Sequence, residues 1–283
     1  MKIGSEFKEN AFKDLQILVI GDAMIDRYYY GKINRQSPEA NVPIVDVDQV
    51  ENRLGGAANV ALNITQLGAK AHLMTFQGKD EDAQTFQKLL DLEGIAYQLV
   101  LANRKTTIKT RLYNGDEYVM RYDREDSFDI EDLVLEELLV NIESLCRRET
   151  INAVILQDYN KGLFTKKSIE GIISLLNRYQ IPIAVDPKEK HFFSFQNVSL
   201  FKPNLKEINK ALNLKLKGDD ELGLKNACHQ LQEQLSCKSV LLTLAHHGAV
   251  AFSEDVFYYV EAHPRNVIDV SGAGGTSWAK VEY

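Results

Sequence analysis

Leu15-Gln16-Ile17-Leu18-Val19-Ile20-Gly21-Asp22 decides how the rest of the chain is read. It is a short apolar run closed by a glycine and an acid, the pattern of a strand buried on both faces that delivers a loop to the edge of a sheet. The pattern recurs: Ala153-Val154-Ile155-Leu156 ends at Asp158, Ile183-Ala184-Val185 at Asp186, and Val240-Leu241-Leu242-Thr243-Leu244 before His246-His247-Gly248. Helix-period stretches lie between these runs, at 57–67 closed by Gly68, then 83–92, 130–146, 167–179 and 221–235. Strands alternating with helices of this length predict an α/β fold, a largely parallel sheet with helices on both faces.

Two segments break the rhythm. Ile44, Val45, Asp46, Val47 and Asp48 alternate as a strand with one wet face, and 106–122 is a second such ribbon with Asn114-Gly115 at its turn. That dipeptide suits a type I′ hairpin, whose two central residues both need positive φ. Together they predict a small β-lid, formed by about 27–50 and 105–123, inserted into one domain; the plainer alternative is an antiparallel extension of the sheet edge.

With 283 residues and 45% apolar side chains the chain can bury one large core. A net charge of −7 argues against a nucleic-acid or anionic-membrane surface and for a small partner. The first sixteen residues are charged, and no apolar run approaches the roughly 18 residues that span a bilayer, which together predict a cytoplasmic protein. Cys146, Cys228 and Cys237 are odd in number and form no CxxC pair, so they read as reduced packing residues.

Four motifs can carry chemistry. Asp269-Val270-Ser271-Gly272-Ala273-Gly274-Gly275 is a glycine turn entering a helix, where bare N–H groups and the helix dipole suit a transferring phosphoryl group. Lys202-Pro203-Asn204-Leu205-Lys206-Glu207 places Asn204 and Glu207 on one face of a helix start, able to orient a hydrated Mg²⁺ and its phosphates, or simply to cap the helix. Gly55-Gly56-Ala57-Ala58-Asn59 lets a polyhydroxylated substrate approach bare backbone beside a side chain that both donates and accepts. Asp22 and Asp26 flank the end of the first strand, where open α/β sheets hold their ligands.

In this order the four motifs resemble the ribokinase-like (PfkB) carbohydrate kinase family over essentially the whole chain. The resemblance implies ATP and Mg²⁺ as cofactors. It implies that Asp22, Asp26, Gly55, Gly56 and Asn59 hold the acceptor sugar, while Asn204, Leu205, Lys206, Glu207, Thr243, Gly248 and the anion hole Gly272, Ala273 and Gly274 hold nucleotide phosphates. Asn204 and Glu207 would reach the metal through water, and Asp269 would stand near a K⁺ site. Lids of this family close over the sugar and in some members pair, implying a homodimer through the lid. Asp26-Arg27-Tyr28-Tyr29-Tyr30-Gly31 with Arg35-Gln36-Ser37-Pro38-Glu39-Ala40-Asn41-Val42-Pro43 is similar to the branch that phosphorylates the anomeric hydroxyl of a heptose 7-phosphate for ADP-heptose biosynthesis. So are Asp158-Tyr159-Asn160-Lys161-Gly162 and Asp186-Pro187-Lys188. A phosphorylated acceptor needs cations at its far end; Arg35, Arg111, Arg121, Lys161 and Lys188 are candidates, Lys161 and Lys188 first because both follow strand-end aspartates.

The family turn ends Gly-Ala-Gly-Asp, its aspartate being the general base; here that position is Gly275. Only Thr276 to Tyr283 follow, where the family continues with an apolar helix that walls the nucleotide, and Ala245 replaces a glycine of the family's Thr-Leu-Gly-x-x-Gly turn. The sequence therefore predicts a C-terminally truncated and impaired kinase, with a kinase of another sugar or a non-catalytic sugar-phosphate binder as alternatives.

Overall fold

The computed structural model describes residues 12–262. In chain order it forms β1 (Gln16–Gly21), β2 (Ala23–Gln36), β3 (Pro43–Gly56), α1 (Ala57–Gln66), β4 (Lys70–Gln77), α2 (Glu81–Leu92), β5 (Ala96–Leu101), β6 (Ile108–Asn114) and β7 (Glu117–Arg124). There follow α3 (Asp132–Arg148), β8 (Ala153–Gln157), α4 (Lys166–Arg178), β9 (Ile183–Asp186), β10 (Leu200–Phe201), α5 (Leu205–Ala211), α6 (Glu221–Leu235), β11 (Ser239–Thr243), β12 (Ala249–Ser253) and β13 (Val256–Val260).

Nine strands make one sheet in the order β13-β12-β11-β10-β9-β8-β1-β4-β5, parallel throughout except for β12 and β13. Leu18, Val19 and Ile20 of β1 are without accessible surface. Leu18 and Ile20 pack into one core with residues of α3, α4 and α6, and Val19 packs into the other with residues of α1 and α2, so helices cover both faces as the unbroken apolar runs require. This is the largely parallel α/β arrangement that the alternation of strands and helices predicts.

Local chemistry sets the helix starts. Asp80 caps α2 by accepting from the Ala83 N–H and also takes the Thr106 N–H and hydroxyl, tying α2 to the loop before β6. A Thr165–Ser168 capping box opens α4. Helix α1 has no side-chain cap; the chain turns into it at Gly56, φ 59°, and the Ala57 N–H donates to the Asp22 carbonyl. A Cβ at Gly56 would collide with that carbonyl, so glycine is required there both for its φ and for the close approach.

The two alternating ribbons form a separate four-stranded sheet, β3-β2-β6-β7. β2 pairs antiparallel with β3 and parallel with β6, from Ile25 beside Ile108 to Gly31 beside Asn114. The strands reach further than the alternation suggested, back to Ala23 and on to Gly56, because the last residues of β3 are already buried. The β6–β7 turn differs from the expected type I′. Asn114 ends β6 opposite Glu117, the central pair is Gly115-Asp116, and only Gly115 has positive φ (58°), as in a type II′ turn. Asn114 is held by another task, since its Oδ1 accepts from the Ile33 N–H of β2.

Candidate active site

The strand-end residues line up along one edge of the main sheet: Asp22 after β1, Asp158 after β8, Asp186 and Lys188 at β9, Asn204 after β10 and Thr243 at β11. At the β1 end, a cavity of about 430 Å³ opens between the small sheet and helices α1 and α2. Asp26, Gly56 and Asn59 line it, together with Arg53, Lys109, Arg111 and Tyr159.

Strand register explains why so many charges meet there, because directly opposed residues share a face. One row across β3, β2, β6 and β7 reads Arg53, Asp26, Lys109, Asp123, and the next reads Glu51, Tyr28, Arg111, Arg121. Arg111 donates to Asp26 at 2.7 Å. Arg53 pairs through two bonds with Glu51, and Arg121 through two bonds with Asp123. Lys109, half-buried, is left with no ion pair among the described residues; its ammonium lies 5.2 Å from the centre of the Tyr159 ring. Burial, with Arg121 and Lys161 nearby, holds that ammonium below the ordinary lysine value. A cation so placed favours an anionic ligand.

Several expected ligands have other work. Asp22 has no accessible surface, and its carboxylate accepts from the N–H groups of Tyr159, Lys161 and Leu163. It anchors the 159–163 loop and is not among the residues that line the cavity. Burial raises its pKa, opposed by those same three bonds. Gly55 stands against the Asp26 carboxylate, where a Cβ would collide. Arg121 faces the cavity side of β7 but is exposed and is not among the lining residues. Lys161 pairs with Glu125 at 2.6 Å and Lys188 with Glu207, so each of the two cations the sequence put first already holds a carboxylate. Arg35 is two-thirds exposed beside Asp46.

At the other end, Asn204 and Glu207 form a complete capping box. Asn204 Oδ1 accepts from the N–H groups of Lys206 and Glu207, and Glu207 Oε2 accepts from the Asn204 N–H. Leu205 and Lys206 open the helix. Thr243 lies beside Asn204 through a parallel bridge, and Gly248, φ 101°, closes the following turn. Among the described residues no cluster of three acidic, histidine or cysteine side chains could ligate a metal. The box therefore suits Mg²⁺ only through water: each Glu207 oxygen keeps a lone pair, and Asn204 Nδ2 makes no hydrogen bond among the described residues. Asp269, Gly272, Ala273, Gly274 and Gly275 lie outside the described residues.

The sequence matches the pfkB family carbohydrate kinase model over residues 14–277. The chain belongs to the pfkB family of carbohydrate kinases. It is 35% identical over 268 residues to the bifunctional protein HldE of a Nitratiruptor species, covering 95% of this chain and 56% of that protein. It is 38% identical over 267 residues to the HldE of Stutzerimonas stutzeri, covering 94% and 54%. This pfkB-family chain thus spans about half the length of the curated relatives it matches. In fold it is similar to phosphofructokinase-2 from Escherichia coli in complex with potassium, with TM-score 0.77, 19% identity, and coverage of 94% of this chain and 84% of that one. It is also similar to ribokinase from Giardia lamblia, with TM-score 0.70, 15% identity, and coverage of 92% and 80%. No described helix of the pfkB-family chain is long and apolar enough to cross a membrane.

Lys109, which lines the cavity, is a residue that the sequence reading did not single out. Its signal was present: Lys109, Arg111 and Tyr113 alternate with Ile108, Thr110 and Leu112, which puts both cations on one face of a strand.

Proposed function

We propose that this chain binds a heptose 7-phosphate in the cavity beneath the small sheet and directs the γ-phosphoryl group of Mg²⁺-ATP to its anomeric hydroxyl. The observation that carries this reading is the ammonium of Lys109, which has no ion pair among the described residues and is set beside Asp26 and Arg111 in a cavity that Asn59 also lines. A neutral sugar does not need it; a sugar phosphate does. Asp26 and Asn59 supply the acceptor and donor groups that hydroxyls require, and the 26–43 string similar to the heptose branch chooses the sugar class. The small sheet acts as the lid.

At the other end of the edge, the free Asn204 amide donates to a phosphate oxygen and Glu207 accepts from water on Mg²⁺, which neutralises the phosphate charge. Gly275 stands where the family pattern has its base, so turnover is expected to be roughly 10²–10⁴-fold below that of a complete site, the usual worth of positioned proton transfer. The same glycine favours the second reading, a sugar-phosphate binder without turnover.

The other face of the lid carries the row Val50, Tyr29, Leu112, Met120, with Val50 and Met120 about half exposed. Such a row supports pairing of two lids into a homodimer, which sedimentation at increasing concentration tests.

The functional test is ADP release with a heptose 7-phosphate, fructose 6-phosphate and ribose offered separately. Slow release that is greatest with the heptose supports the kinase; binding without release supports the binder; a preference for ribose contradicts the acceptor reading.

A further inference from the structure

The acceptor cavity and the Asn204–Glu207 box lie along one sheet edge, at β1 and β10, and Tyr159, which follows β8 between them, touches the surroundings of both. Tyr159 lines the cavity. The Lys109 ammonium lies 5.2 Å and the Lys188 ammonium 5.9 Å from the centre of its ring, both within reach of the ring's negative face. Lys109 belongs to the lid strand β6, whereas Lys188 donates to Glu207 Oε1, whose other oxygen holds the Asn204 N–H. The backbone of Tyr159 is fixed, because its N–H donates to buried Asp22, while Asp158 accepts from Asn160 and Lys188.

We propose that Tyr159 is a positioning residue that couples the two substrate sites, its ring being shared between the lid lysine and the lysine that holds Glu207. This rests on the reading of the cavity as the acceptor site. A sugar phosphate that engages Lys109 draws the ammonium away from the ring. With one of the two mutually repelling cations gone, the ring attracts Lys188 more strongly, which loosens its bond to Glu207 and would free Oε1 to accept from the water around Mg²⁺. The two states thus differ in their interactions with both ligands, as coupling requires, and by linkage each substrate tightens the other's binding by the same factor.

The test is calorimetric titration of the full chain with a heptose 7-phosphate, without and with Mg²⁺ and a non-hydrolysable ATP analogue. Wild type is expected to bind the sugar phosphate about 5-fold or more tightly when the nucleotide is present, the lower end of usual coupling. Tyr159→Leu should reduce that ratio to below about 2-fold, whatever its effect on sugar affinity alone, and Tyr159→Phe, which keeps the ring, should retain the ratio. Tyr159→Met makes the same comparison if leucine disturbs the loop. An undiminished ratio in the variants lacking the ring, or no coupling in wild type, overturns the role of Tyr159. No sugar-phosphate binding by wild type overturns the acceptor reading itself, and the role of Tyr159 falls with it.

Discussion

Lys109 stands beside Asp26 in the β2–β6 register, yet Asp26 gives its carboxylate to Arg111, one row further along. The fold thereby keeps a half-buried lysine with no ion pair among the described residues, an arrangement that costs stability.

Replacing Lys109 with methionine is therefore expected to leave the melting temperature unchanged or raised. The same change should weaken binding of a sugar phosphate by about tenfold or more, the loss of one charge-assisted contact. Thermal melting and calorimetry on the same preparations read both effects. A lysine that merely supports the fold would show the reverse pattern.

Glu207→Gln is expected to destabilise the chain. Glutamine can still accept from the Asn204 N–H, but Lys188, whose side chain is 29% exposed, loses its carboxylate partner. About 1–3 kcal/mol is expected, which lowers the melting temperature by roughly 2–4 °C per kcal/mol in a domain of this size. An unchanged melting temperature would show that the pair contributes nothing to the fold.

Ala245 occupies φ 54°, a left-handed conformation disfavoured by its Cβ, in the turn after β11. The strain is worth about 1–2 kcal/mol, and the extra freedom of glycine in the unfolded chain offsets about 0.4–1 kcal/mol of it. Ala245→Gly should stabilise the chain by a few tenths to about 1 kcal/mol in urea titration, whereas a loss would mean that the methyl group makes contacts that outweigh its strain.

Asp158 contributes a pH dependence to the stability of the chain. Burial, then the neighbouring Asp22, push its carboxyl up to about 7 from the usual 3.8. The folded chain thus holds a proton there that the unfolded chain has released, so this group makes stability fall as pH rises from about 4 to about 7 and level off above. Each pKa unit is worth about 1.4 kcal/mol. Urea midpoints of wild type should therefore drop relative to Asp158→Asn across that window, and parallel profiles would place the ionisation elsewhere.

Much of the main sheet was legible because strands buried on both faces read as unbroken apolar runs ending at Asp22, Asp158 and Asp186. The β12–β13 hairpin was not. Its turn is Glu254-Asp255, both at positive φ (51° and 62°), where neither residue carries the glycine or asparagine signal that such a turn normally shows. The surroundings of Asp22 and Lys109 were not legible, for one reason. Sequence gives a charge but not its partners, and here three backbone N–H groups claimed Asp22 while register left Lys109 unclaimed.

The most direct test of the acceptor site is a calorimetric comparison of a heptose 7-phosphate with the same heptose lacking its phosphate. The cavity chemistry predicts that the phosphorylated sugar binds at least about tenfold more tightly and that Lys109→Met abolishes most of the difference. Equal affinity for the two sugars, or a preference for the phosphate that survives Lys109→Met, would contradict it.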